Sequence, residues 1–318
     1  MIKKVPLLDI VIVNWNSDGQ LRKCLESITA TRHDKYKLNS VVVVDNDSVD
    51  GSAENLGDFG FQLVIKRNEA NRGFAAACNQ GAKVSGADYV LFLNPDTLLY
   101  EDSLVKPIAF MEHPGNQKKG IVGIQLIDEE GHINRTCTHF PKPRHFVSQM
   151  AGLDRLYPRH FPSHFMTMWD HNESRRVDHV MGAFYLIRRK LFDKLKGFDE
   201  RFYLYLEDLD LSYRAKKAGW ESFFLSHVKA YHKGGGTSEQ IMARRLFYAL
   251  RSRILYGYKH FDRWIATALM LGTIVAEPMI RIGFGVSVGS ASKIKETIKA
   301  FALLWWNLPK WIFGGEGP

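Results

Sequence analysis

"YVLFLNPDT", residues 89–97, is an unbroken apolar run closed by Asn94, Pro95 and Asp96. A short β-rich run without polar alternation suits a strand buried on both faces of a parallel sheet. Three comparable runs precede it: "LDIVIVN" (8–14), "SVVVVD" (40–45) and "FQLVIK" (61–66). Helical stretches are expected between them at 18–31, 51–58 and 73–84. This βαβα rhythm predicts a doubly wound α/β sheet, whose ligands lie beyond the carboxyl ends of the strands.

Three of the four strands end in polar residues: Asn14-Trp15-Asn16-Ser17, Asp45-Asn46-Asp47-Ser48 and Asn94-Pro95-Asp96. Taken singly, each ending is accounted for by the preference of Asn, Asp and Ser for turns and helix caps. In a parallel sheet, however, all three fall on one edge. Asn94 and Asp96 there offer oxygen ligands to a hard cation such as Mg²⁺ or Mn²⁺, which keeps several waters and bridges a carboxylate to substrate phosphates. The helix opening at Arg72-Gly73, followed by Ala75-Ala76-Ala77, allows close backbone approach and favours an anion at its N-terminal end.

A second acidic group closes "FYLYLEDLD" (202–210), where Glu207, Asp208 and Asp210 follow an aromatic run. The pattern predicts a helix from about Asp208 to Gly219, with Asp210 reaching Arg214 one turn on. Glu207 and Asp208 remain without a structural purpose. A carboxylate at a partly dry pocket edge is suited to general-base work, the aromatic run forming the pocket wall. His232, before a glycine run, is a candidate metal or phosphate contact, although a lone histidine is also common in structural roles.

Residues 115–176, rich in Pro, His and aromatics, read as a long loop or lid, and a strand is expected again at 178–189. Beyond residue 239 the pattern becomes helical, at 239–260, 262–282 and 290–308. The net charge of +9 is concentrated there: residues 241–318 carry eleven Lys/Arg against four Asp/Glu, with Trp264, Trp305, Trp306 and Trp311. A basic, tryptophan-rich end suits an anionic membrane surface better than nucleic acid, because it is apolar between its charges. The run 264–275 is expected to be too short to cross a bilayer, with Glu277, Pro278 and Arg281 interrupting it, so in-plane attachment or a dimer contact is anticipated. The three cysteines show no CxxC spacing, which argues against a disulfide framework or zinc site and fits a reducing, cytoplasmic setting. The N-terminus reads as a first strand rather than a signal peptide.

In order, "VIVNWNS", "VVVDNDSVDGS", "NRGFAAACNQG", "LFLNPDT", "MGAFYLIRR" and "GFDERFYLYLEDLDLSYRAKKAGW" resemble the inverting glycosyltransferases of family 2, most of all the rhamnosyltransferase branch. The resemblance runs from about residue 8 to 240. It implies the GT-A nucleotide-diphospho-sugar fold over 1–238, a donor half at 1–114 and an acceptor half at 115–238, followed by a helical membrane-associating or dimerising region at 239–318. By position in the motifs, it implies that Asp45 reads the pyrimidine and that Val13, Asn14 and Asn16 line the nucleotide. Arg72 and Gly73 pass near the base and diphosphate, and Gly182 and Ala183 stand beside the sugar. Asn94 and Asp96 fall on the DXD metal motif with Asn in place of the first Asp, which leaves metal binding mainly to Asp96, assisted by His232. Asp208 matches the catalytic base, with Glu207 its neighbour. The implied reaction moves L-rhamnose from dTDP-rhamnose, with Mg²⁺ or Mn²⁺, onto a glycan or polyprenyl-diphosphate-linked acceptor for cell-surface polysaccharide, at the inner face of the membrane. Transfer from another UDP-sugar and nucleotidyl transfer are the alternatives. The second would call for a basic Gly-rich loop after the first strand, where this chain has "NWNSDGQ". A non-catalytic carbohydrate-binding scaffold would tolerate neutral substitutes for the strand-end acids.

Overall fold

The computed structural model describes residues 4–84, 86–234 and 242–313. The chain divides into two compact units. The first comprises residues 1–139, 165–199 and 208–237, and the second residues 140–164, 200–207 and 238–318.

The first unit is a mixed, mostly parallel sheet between two helical layers. Strands β1 (Leu7–Asn14), β2 (Lys37–Asp45), β3 (Leu63–Arg67) and β4 (Tyr89–Leu93) are mutually parallel in the order β3-β2-β1-β4. Alternate residues feed opposite layers, as the pleat requires. Leu8, Ile10, Ile12, Val41 and Val43 pack with Leu21, Cys24, Leu25 and Ile28 of α1 (Gln20–Thr29). Val11, Val13, Val42 and Val44 pack with the small residues of α2 (Phe74–Ala82). A Cβ at Gly81 of α2 would lie 2.4 Å from a methyl of Val11, so only glycine lets this helix settle so close to the sheet.

No helix forms at 51–58. Gly51, Asn55 and Gly57 adopt positive φ and turn the chain, while Ala53 and Leu56 anchor the loop in the core. The region read as a lid also contains a central strand, β6 (Lys119–Ile127). β5 (Thr97–Leu99) follows β4, and α3 (Val105–Glu112) covers the α1 face of the sheet. β6 carries the short partner β7 (Ile133–Asn134), and β8 (Cys137–Thr138) pairs with β10 (His179–Val180) in a separate two-stranded sheet. The strand expected at 178–189 is therefore two, β10 and β11 (Phe184–Arg188), broken at Met181–Ala183. β11 lies antiparallel between β4 and β6. β12 (Glu221–His232) runs parallel to β6 and carries β9 (Arg175–Val177) and β5 as antiparallel partners.

The second unit is helical: α4 (Pro143–Met150), α5 (Leu153–Leu156), α8 (Met242–His260), α9 (Arg263–Leu271), α10 (Glu277–Ser287) and α11 (Ala291–Phe313). Two further helices, α6 (Arg189–Lys194) and α7 (Glu207–Lys217), precede α8 in the chain. Glu277, Pro278 and Arg281 do not interrupt the helix, contrary to the expectation from sequence. α9 and α10 are joined through a π-helical turn at Gly272–Ala276. Proline withdraws the amide that would bond the carbonyl four residues back, and the Trp305 Nε1–H donates to that carbonyl, on Ile274, at 3.0 Å. Glu277 is fully buried yet paired, accepting from Arg253 of α8 at 2.6 Å and from Arg281 at 2.8 Å. The continuous helix Arg263–Ser287 is, by length and composition, sufficient to cross a membrane, which corrects the reading of its apolar part as too short.

The aromatic run 202–206 belongs to this second unit. Phe202 is core rather than pocket wall, and Tyr203 stacks on Tyr248 of α8 with ring centres 4.5 Å apart. Tyr205 and Leu206 both hold positive φ, a conformation costing about 1–3 kcal/mol per non-glycine residue. α8 holds this bend in place: Ser252 Oγ donates to the Leu204 carbonyl at 2.7 Å, and Arg245 donates to the Tyr205 hydroxyl at 3.1 Å. The glycine run beyond Gly234, the start of the helix expected at 239 and the Trp311 side chain lie outside the described residues.

Candidate active site

The strand endings meet on one edge of the first unit's sheet. Asn14 and Asp45 are register partners at the ends of β1 and β2. Leu93 of β4 pairs with Ile12 on one side and Phe184 on the other, so Asn94 and Ala183 continue the same row. The Asn94 amide donates to the Ala183 carbonyl at 3.1 Å. His232 and Thr97 are partners where β12 meets β5.

Around Asp45, itself buried with Asn14, the polar groups are closely bonded to one another. The Asn14 side-chain amide donates to Asp45 Oδ1 at 2.9 Å, Ser48 Oγ at 3.1 Å and Ser52 Oγ at 2.9 Å. Ser48 Oγ also donates to Asp45 Oδ1 at 2.6 Å. Asn16, in a left-handed conformation, accepts from the Val49 amide and donates its own amide to Ser48. Val13 lies beneath, in the layer packed on α2. Asn46, noted in the polar strand ending but assigned no role of its own, organises the next loop. Its Oδ1 accepts from the Arg72 amide at 3.0 Å and from Asn68, and its Nδ2 donates to Asn71 and to the Gly73 carbonyl. Gly73, at φ +82°, caps α2 in a conformation that favours glycine. Asn46 directly follows a candidate acid in a polar turn, which was the available signal.

Asp96 Oδ1 lies 3.3 Å from His232 Nε2, and both side chains are nearly buried. The Asn94 side-chain amide is 3.5 Å from the same ring nitrogen. A carboxylate and an imidazole this close, with an amide beside them, fit a divalent cation that retains water and shares its remaining positions with phosphate oxygens.

Asp208, in the first turn of α7, is held by two backbone amides. The Gly182 N–H donates to Oδ2 at 2.7 Å and the Leu209 N–H to Oδ1 at 2.8 Å. A Cβ at Gly182 would stand 3.0 Å from Oδ2, so the glycine allows the carboxylate its approach. Asp210 bonds Arg214 at 2.7 Å as expected, which makes it a structural acid. Glu207 is buried and groups with the helical unit, so the Glu-Asp pair is divided between the two units. The structure thus connects Asp45, Asn14, Asn16, Arg72 and Gly73 in one network, joins Asn94 to Ala183, Asp96 and His232, and seats Asp208 on Gly182.

This arrangement of strand-end acids on a mostly parallel sheet agrees with the family profile described as glycosyl transferase family 2, which matches residues 9–196. The chain belongs to glycosyl transferase family 2. The N-acetylglucosaminyl-diphospho-decaprenol L-rhamnosyltransferase of Mycobacterium tuberculosis is 24% identical over 279 residues, covering 82% of this chain and 87% of that protein. Rhamnosyltransferase WbbL of Escherichia coli K12 is 24% identical over 280 residues, covering 80% and 96%. The mannosyltransferase PcManGT from Pyrobaculum calidifontis, solved with GDP-Man and Mn²⁺, superposes with a TM-score of 0.54 at 15% identity over 99% of this chain and 89% of its own. TarS 1–349 of S. aureus gives 0.53 at 14% identity over 92% and 78%. These likenesses establish the GT-A fold, and the family makes the protein a glycosyltransferase.

Proposed function

We propose that this family 2 enzyme moves L-rhamnose, with inversion, from dTDP-rhamnose onto a polyprenyl-diphosphate-linked or oligosaccharide acceptor in cell-surface polysaccharide synthesis. The names of the two rhamnosyltransferase relatives support the sugar, and that of the mycobacterial relative supports a lipid-linked acceptor. The observation that carries the chemistry is Asp208, pinned by two amides beside the strand-end edge.

In this reading Asp45, Asn14, Asn16 and Val13 take the pyrimidine, and Arg72 and Gly73 the base and diphosphate. Gly182 and Ala183 border the sugar. The acceptor oxygen attacks the anomeric carbon from the face opposite the diphosphate. As that bond forms, Asp208, with Glu207 beside it in sequence, removes the hydroxyl proton. The bond from the anomeric carbon to the diphosphate oxygen breaks, and its electron pair leaves with the nucleoside diphosphate. Asp96, His232 and Asn94 would hold Mg²⁺ or Mn²⁺, which when bound supplies positive charge to offset that on the leaving diphosphate.

The test combines a thermal-shift panel of nucleotide sugars with transfer assays. dTDP-rhamnose should stabilise the protein and be turned over to an inverted product, with nucleoside diphosphate released. Asp208→Asn should keep the stabilisation and lose transfer. Near-normal turnover by Asp208→Asn would remove it as the base, stabilisation only by a UDP-sugar would replace the donor, and pyrophosphate release would point to nucleotidyl transfer. Full activity in EDTA, or unchanged Mn²⁺ binding in Asp96→Ala, would refute the metal assignment.

We further infer that the helical unit attaches the enzyme to the inner face of the cell membrane. Trp264, Leu271, Val275 and Met279 stand exposed along α9, the π turn and α10, with Trp305 and Trp306 exposed on α11. Arg263, Lys293, Lys295 and Lys299 are exposed on the same helices and complement anionic headgroups. In-plane attachment is favoured over crossing because the helix carries buried Glu277, paired with Arg253 of α8 and with the partly exposed Arg281, and placing these charges in hydrocarbon is costly. A dimer formed through this face, detected by sedimentation without lipid affinity, would overturn the membrane assignment.

A further inference from the structure

Behind the Asp208 carboxylate lies a buried polar chain that the reaction described above does not use. His179, on β10, is 3% exposed. Its Nε2 is 3.6 Å from Asp208 Oδ2, and its Nδ1 is 3.1 Å from Ser212 Oγ, one helical turn beyond Asp208 on α7. Ser212 Oγ is in turn 2.9 Å from the Tyr185 hydroxyl of β11, which also lies 3.5 Å from the Asp208 carbonyl. His179, Ser212 and Tyr185 come from three elements of the first unit and form a chain that reaches the Asp208 carboxylate through His179.

The chemistry fixes the direction of the chain. A neutral imidazole presenting its Nε2 lone pair to an ionised carboxylate would be repelled, so Nε2 carries the proton. Nδ1 then accepts from the Ser212 hydroxyl, and Ser212 accepts from Tyr185. At 3.6 Å the N–H is outside hydrogen-bond range and acts through its dipole. Oδ2 thus faces both the Gly182 N–H and the His179 N–H. Oδ1 receives the Leu209 N–H and, among the described residues, keeps a lone pair with which to receive a proton.

We propose that His179 is a positioning residue for the base, directing Oδ1 of Asp208 toward the acceptor hydroxyl and favouring the ionised carboxylate. Ser212 and Tyr185 hold the ring and its tautomer from behind. Burial lowers the proton affinity of His179 despite the nearby negative charge of Asp208 and Asp178. Asp178 is itself engaged by Lys216 and His139, and burial pushes the Tyr185 hydroxyl up, so it stays protonated. His179 therefore acts as a neutral dipole rather than as a second base.

The inference rests on Asp208 being the base, and the experiment separates the two. The pH dependence of kcat/KM for rhamnosyl transfer is measured for the full-length protein and for His179→Phe, His179→Gln, Ser212→Ala and Asp208→Asn, with thermal melts of each. His179→Phe should lower kcat roughly tenfold at neutral pH and move the acidic limb upward by about one pH unit, leaving the donor KM unchanged. His179→Gln, which can return an N–H near the Nε2 position, should restore most of both. Ser212→Ala should move the limb in the same direction by less, and it keeps the proposal testable if His179→Phe fails to fold. An unmoved acidic limb in both folded His179→Phe and Ser212→Ala overturns the proposal while leaving the base intact. Normal turnover by Asp208→Asn overturns the base and this inference together.

Discussion

Gly182→Ala is a small perturbation whose effect can be worked from the contact it creates. The added Cβ would lie 3.0 Å from Asp208 Oδ2, 3.6 Å from its Cβ and 3.7 Å from its Cγ. The contact to Oδ2 is the one that must relax, by about 0.4 Å, to reach ordinary van der Waals separation near 3.4 Å. Gly182 is not at positive φ, so the backbone itself is not strained by alanine. The carboxylate gives way more readily than β11 or its neighbours, because the Asp208 side chain is 14% exposed while the strand is buried. If a misplacement of about 1 Å costs about 100-fold, one of about 0.4 Å should cost roughly five- to tenfold. The loss should appear in kcat, since the nucleotide and diphosphate of the donor are held by other residues, while unfolding free energy should change by no more than about 1 kcal/mol, the low end for overpacking. The assay is nucleoside-diphosphate release at saturating donor and acceptor, beside urea unfolding and donor binding. A folded variant with kcat within about twofold of wild type would mean that the Gly182 contact does not seat the base, and a rise in donor KM alone would mean that Gly182 acts only through the sugar it borders.

Three other outcomes follow from the same coordinates. Asn14→Ala removes the donor shared by Asp45, Ser48 and Ser52 in a buried site, so urea unfolding should show a loss of about 1–3 kcal/mol, and a neutral result would mean that water replaces the amide. Burial lowers the proton affinity of His171 and His179 below the ordinary imidazole value of 6.5, so as pH falls through that value the unfolded state gains protons there before the folded state does. Unfolding free energy from urea titrations should therefore fall as pH drops from 7 to 5, by no more than about 1.4 kcal/mol per pH unit for each histidine, and more gently in His179→Gln; parallel slopes would remove His179 as a contributor. Changing Lys293, Lys295 and Lys299 together to Gln should weaken binding to phosphatidylserine-containing vesicles by about 3 kcal/mol in flotation assays, and undiminished binding would show that these lysines do not meet the headgroups.

The parts of the fold that were legible are those where one requirement governs the residues. β4 and the central stretches of β1 and β2 are covered on both faces and so are apolar, and α2 is small-sided because it packs closely on β1. β6 was obscured because close packing required glycine within a strand: a Cβ at Gly120 would strike Leu191, and one at Gly123 would strike Val180. β12 was obscured because its pairing with β6 shifts register between Leu225 and Lys229, and this breaks the two-residue period by which a strand is recognised. The supposed helix at 51–58 failed for the converse reason: its apolar residues are anchors of a turn shaped by glycines and a left-handed Asn55. In the site, acids at strand ends could be located because a parallel sheet brings its carboxyl ends together. What holds those acids could not, because the partners of Asp208 are an amide from the break before β11 and a histidine from β10, each remote in sequence and neither unusual alone. Nor could the division of 202–208 be read from the pattern. The aromatic run is apolar because α8 buries part of it, whereas Asp208, only six residues after Phe202, is oriented by the sheet of the other unit. A substitution on α8 such as Ser252→Ala therefore loosens the chain immediately before the base without touching the strand-end edge, and its effect should fall on kcat while nucleotide-sugar affinity is retained.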